Sequence, residues 1–135
     1  MKDKRYVTYS HAKTKIRYHL IFSTKYRAKC LEGIHDEVLA AFRQTESASD
    51  FTLYDIETDK DHIHMMIEIK PSISVDQAVR RLKQMTTHIL WDRDGEWLRK
   101  FYWGPKRKLW SGGYFCATVG DASEDTIRKY IENQG

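Results

Sequence analysis

The sequence predicts an α+β fold of ferredoxin-like, RRM-like type: an antiparallel sheet with helices on one face, in the order β-α-β-β-α-β, and one further helix at the C-terminal end. Three observations predict it. In residues 61–70 (DHIHMMIEIK), Ile63, Met65, Ile67 and Ile69 alternate with His62, His64, Met66 and Glu68, the period of two that marks a half-buried strand. Two segments with apolar residues at helical spacing lie on either side of that region. The length of 135 residues suffices for one core and is short for two, so residues 1–135 are read as a single domain.

The elements follow in order. Residues 16–24 (IRYHLIFST) are β-branched and aromatic and predict a first strand. Residues 33–45 place Ile34, Val38, Leu39 and Phe42 at helical intervals. Residues 51–58 (FTLYDIET) predict a second strand, and the short Asp59-Lys60 connection makes it a hairpin with the third, which Pro71 ends. Residues 74–92 carry Val75, Val79, Leu82, Met85, Ile89 and Leu90 in a helical pattern. A last strand is predicted over 114–119 (YFCATV). Gly120 and Asp121 break the chain, and a closing helix spans 123–134, with Asp121 or Ser123 as its N-cap.

Composition narrows the classes without choosing among them. No apolar run approaches the roughly 18 to 20 residues of a membrane span. The polar start, Met1-Lys2-Asp3-Lys4-Arg5, does not read as a signal peptide. Cys30 and Cys116 lack metal-like spacing, so a reducing, cytoplasmic setting is expected. The net charge of +4 is a mild bias toward an anionic partner, and its placement says more. Arg99, Lys100, Lys106, Arg107 and Lys108 are interrupted by Phe101, Tyr102 and Trp103 and followed by Trp110. Cations for phosphates beside flat rings for bases suit a single-strand or hairpin binder; a solvated loop with its aromatics turned into the core explains the same residues.

Chemistry gathers at two places. His62 and His64 sit two apart on a strand, so both side chains leave one face with Cα atoms roughly 6.5 to 7 Å apart. Imidazoles at that spacing can converge on one metal ion, or form a structural surface pair. Tyr130 and Gln134 are four apart on the closing helix, hence stacked on one face. The plain alternative makes Tyr130 the aromatic member of an amphipathic stripe, which leaves Gln134 without a role.

Four segments then carry a resemblance. They are Tyr18-His19-Leu20-Ile21-Phe22 followed by Lys25-Tyr26-Arg27; Asp61-His62-Ile63-His64; residues 110–119; and Ile127-Arg128-Lys129-Tyr130-Ile131-Glu132 with Gln134. Together, and in this order, they resemble the HUH single-tyrosine transposases of short insertion sequences and of REP-associated repeats, which move DNA as a single strand. The resemblance implies that Tyr130 is the nucleophile and forms a 5′-phosphotyrosine. It implies that His62, His64 and Gln134 hold Mg²⁺ or Mn²⁺. All three ligands are neutral, so the ion would be held weakly and would depend on the DNA phosphate for charge. The implied partners are single-stranded DNA and DNA hairpins at element ends, with Lys25, Arg27, Arg99, Lys100, Trp103, Lys106, Arg107, Lys108 and Trp110 as contacts. A homodimer with active sites shared in trans is implied as well, and no membrane. Two rivals remain at this point: a non-enzymatic RRM-like nucleic-acid module, and a domesticated relative that processes repeats.

Overall fold

In a computed structural model of the chain, the structure describes residues 7–9, 12–14, 16–119 and 124–133. The described elements are β1 (Val7–Tyr9), β2 (Ala12–Thr14), β3 (Arg17–Ser23), α1 (His35–Ser47), β4 (Phe51–Thr58), β5 (His62–Ile69), α2 (Val75–Leu98), β6 (Phe115–Thr118) and α3 (Glu124–Asn133). Strands β1 and β2 form a separate antiparallel hairpin that the sequence pattern does not announce. The main sheet has the order β4-β5-β3-β6, with every neighbouring pair antiparallel. This is the expected ferredoxin-like arrangement, preceded by the extra hairpin. The expected N-caps of the closing helix, Asp121 or Ser123, lie outside the described residues.

The alternation along β5 sorts its side chains as predicted. Ile63, Met65 and Ile67 are fully buried with Leu20 and Phe22 of β3. Against them α1 turns Val38, Ala41, Phe42 and Thr45, and α2 turns Ala78, Val79, Leu82, Thr86, Ile89 and Leu90. The start of α2 is held by a capping box: Gln77 N donates to Ser74 Oγ at 3.1 Å and Ser74 N to Gln77 Oε1 at 2.9 Å.

α2 runs to Leu98, past the end expected at residue 92. The polar run Arg93-Asp94-Gly95-Glu96 interrupts the apolar spacing, and the backbone at Asp94 leaves the helical region. Burial of Trp91 and Leu98 carries the helix across this weak point. Trp97 donates through Nε1 to Cys30 O at 2.8 Å. Its ring crosses Gly33 so closely that a Cβ there would lie 2.3 Å from the indole.

Register places the chemistry on the other face. Ile21 of β3 pairs with His64 on one side and Phe115 of β6 on the other. Directly opposed residues share a face, so Phe115, Ile21 and His64 form one row across three strands. Ser23 pairs with His62, and His19 with both Met66 and Ala117, in the flanking rows. This is the face away from α1 and α2, and it meets α3.

Candidate active site

α3 meets this face through Tyr130 and Ile131. The Tyr130 ring lies 5.0 Å from that of Phe115, centroid to centroid. Arg27 Nη1 donates to Ile131 O at 2.9 Å. Phe115 and His64 are two strands apart in the same row, roughly 10 Å at ordinary strand spacing. The topology therefore brings the predicted tyrosine over the sheet face that carries the predicted histidines. Gln134, the third expected ligand, lies outside the described residues, as do Gly120 and Asp121.

Each histidine is held by a neighbour. His62 Nδ1 donates to Asp61 Oδ1 at 3.1 Å, which directs Nε2 away from the carboxylate, as in metal-bound histidines with a carboxylate behind them. His64 Nε2 shares a hydrogen bond with His19 Nδ1 at 3.1 Å, the rings stacked at 5.4 Å. Burial, with His19 beside it, pulls His64 below the ordinary imidazole range and favours the neutral, ligating form. These two donors suit a divalent ion on this face. Among the described residues no three His, Cys, Asp or Glu side chains gather into a metal site.

Asp61 is itself clamped. Arg27 Nε donates to its Oδ2 at 3.0 Å and Nη2 to its Oδ1 at 3.2 Å. Burial would raise the Asp61 carboxyl, but the hydrogen bonds from Arg27 and His62 outweigh it and hold the group below its usual value. The phenol of Tyr130 is pushed up by burial, and the Arg27 charge opposes that rise.

The expected DNA contacts separate into groups. Trp110 is a correction. It is 8% exposed, packs edge-on against Phe22 at 4.9 Å and Phe42 at 5.8 Å, and donates through Nε1 to Thr86 Oγ1 at 3.0 Å. Its ring completes the core and offers no face to a base. Tyr102 turns inward too, donating to Lys25 O at 2.9 Å. Trp103 points outward, 78% exposed. Lys106 is exposed, while Arg107 reaches Asp92 at 3.1 Å. Arg99 and Lys100 lie over the rings of Trp91 and Trp97. Lys25 and Lys108 each lie 5.6 Å from the centre of the Tyr26 ring, which is 69% exposed. Arg27 is half-buried on Asp61 rather than presented at the surface.

Sequence reasoning gave no role to His19, Asp61, Tyr26 or Phe115. The period of two places His19 on the outward face of its strand, but only register brings it to His64. Asp61 was visible beside His62, and its use depends on an arginine 34 positions away.

The comparisons with known proteins agree with this fold. Residues 12–134 match the family described as IS200-like transposases. The chain is 29% identical over 126 residues to the transposase of insertion sequence element IS200 from Salmonella typhimurium, covering 93% of this chain and 80% of that protein. It is 28% identical over 120 residues to the ISDra2 transposase TnpA of Deinococcus radiodurans, covering 88% and 84%. A crystal structure of a candidate transposase from Deinococcus radiodurans R1 superposes with a TM-score of 0.80 at 28% identity, covering 99% and 98%. A REP-associated tyrosine transposase solved with a REP hairpin shares the fold, with a TM-score of 0.57 at 10% identity over 98% of this chain and 68% of that one. With a family match over nearly its whole length, the chain belongs to the IS200-like transposases.

Proposed function

We propose that this transposase cuts and rejoins single-stranded DNA through a covalent bond to Tyr130, after binding a DNA hairpin at the end of its element. The seat of Tyr130 on Phe115, in the row that leads through Ile21 to His64, carries the proposal. The phenol oxygen attacks the scissile phosphorus and loses its proton. The bond from phosphorus to the 3′ oxygen breaks, and that oxygen leaves as a 3′-hydroxyl after taking up a proton. The 5′-phosphate stays on the tyrosine. Attack by another 3′-hydroxyl reverses the step, so rejoining needs no nucleoside triphosphate.

His62 and His64, with Gln134, are the residues that would hold Mg²⁺ or Mn²⁺, which supplies Lewis-acid polarisation of the phosphate. The protein's own part is to keep both imidazoles oriented, through Asp61 and His19. Lys25 and Lys108 around the exposed Tyr26, together with Trp103, offer charge and stacking surface to single-stranded DNA or a hairpin. Arg99, Lys100, Lys106 and Arg107 extend that basic surface. The reading includes a homodimer in which the tyrosine helix of one copy serves the histidines of the other.

Tyr130→Phe tests the nucleophile. The variant should bind a single-stranded hairpin oligonucleotide like the wild type and form no covalent adduct on a denaturing gel. Single changes at the other tyrosines should leave the adduct. An adduct in Tyr130→Phe would sink the assignment. Binding without any adduct in the wild type would favour the RRM-like binding module.

A further inference from the structure

We propose that Arg27 is a positioning residue for the tyrosine reaction, holding the nucleophile's helix and the histidine strand in one frame. The proposal rests on Tyr130 being the nucleophile.

One planar guanidinium reaches in two directions. Nε and Nη2 form a fork on the Asp61 carboxylate at 3.0 and 3.2 Å, and Nη1 meets the carbonyl of Ile131 at 2.9 Å. Asp61 Oδ1 also accepts from His62 Nδ1. Arg27 thus ties the residue after the nucleophile to the carboxylate that orients a histidine. Ile131 lies in the last turn of α3, where carbonyls lack partners within the helix. No basic residue of α3 occupies that turn. Arg27 brings a cation there from another part of the chain, where the helix dipole favours one.

The backbone is bent to allow this. Tyr26 and Arg27 both have left-handed φ, 62° and 52°. Consecutive non-glycine residues keep that conformation only where their surroundings over-determine it, commonly at functional sites. The bend sends Tyr26 outward and Arg27 inward. Burial raises the Tyr130 phenol, and the Arg27 charge works against that rise. A lysine carries the charge without the planar fork, so it cannot make the three contacts at once.

The test compares Arg27→Lys, Arg27→Gln and Asp61→Asn with the wild-type protein, on a single-stranded oligonucleotide copied from the DNA flanking the chain's own gene. DNA affinity and its salt dependence should stay unchanged. Adduct formation should fall roughly a hundredfold in each variant, the scale of a misplaced reacting group. The alkaline limb of the rate profile should move to higher pH in Arg27→Gln, because the phenolate loses a favourable charge. Combining Arg27→Gln with Asp61→Asn should cost no more than either alone, since both break one unit. Hydrogen exchange should quicken in 124–133 while β3 and β5 stay protected.

Wild-type adduct formation by Arg27→Lys would overturn the proposal. So would weaker DNA binding with a salt slope reduced by about one, the mark of a phosphate contact. Unchanged exchange in 124–133 would overturn it as well, and lost protection across the whole sheet would make Arg27 a general stabiliser. Failure of the nucleophile assignment is seen separately, as an adduct in Tyr130→Phe.

Discussion

At the scale of single residues, the site is a set of side chains each held by one neighbour. His62 is set by Asp61, His64 by His19, and Tyr130 by Phe115. The histidines leave the face opposite the core, so their loss should spare the fold. His62→Ala and His64→Ala should each retain a cooperative unfolding transition close to that of the wild type while abolishing strand cleavage. EDTA should stop the wild-type reaction and Mn²⁺ should restore it. Cleavage undiminished in EDTA would make the histidine pair structural.

Among the secondary-structure elements, the late part of α2 has the least obvious cause. Its polar run would end the helix early, yet Trp97 and Leu98 fasten it. Leu98 is buried, and Trp97 bonds to Cys30 O while covering Gly33. Gly33→Ala should therefore force the indole off its carbonyl. The expected loss is about 1 to 3 kcal/mol, the usual cost of overpacking, read as a lower urea midpoint. Combination with Trp97→Phe should lose less than the sum of the two single changes. An unchanged midpoint in Gly33→Ala would show that the indole moves aside at no cost. The neighbouring loop is held by similar means: Trp91 Nε1 donates to Lys108 O, and Lys83 Nζ to Ser111 O and Gly113 O. These bonds seat the segment on α2, and Lys25 N, donating to Leu109 O at 2.8 Å, ties it to the bend at residues 24–27.

For the whole molecule, the homodimer reading has the tyrosine of one copy serve the histidines of the other. Within one chain, α3 sits on its own Arg27 and Phe115. A partner's helix could occupy the same seat. Among the described residues the main sheet ends in strands β4 and β6, and a sheet edge is a place where two copies can pair across a two-fold axis. Mixing inactive Tyr130→Phe with inactive His64→Ala should recover cleavage if sites are shared. One composite site of the mixed dimer then has an intact tyrosine and intact histidines, while the other has neither. A dead mixture, with heterodimers demonstrated, would show that each site is built within one chain. No helix among the described residues is long and apolar enough to cross a membrane, and none of these steps calls for one.

The sequence by itself determined the β-α-β-β-α-β order, the outward face of His62 and His64, and the family resemblance that the comparisons bear out. These are local properties, since strand alternation, helical spacing and short motifs depend on near neighbours in the chain. It did not reveal the N-terminal hairpin, whose strands are too short for a clear period. Nor could composition say which aromatics of 99–110 turn inward: Tyr102 and Trp110 do, and Trp103 does not. Only the tertiary structure paired Phe115 with Ile21 and Ile21 with His64, stacked His19 on His64, and brought Arg27 to both Asp61 and Ile131. These contacts join residues far apart in the chain. Strand register and the packing of α3 decide them, and no short window of sequence carries that information.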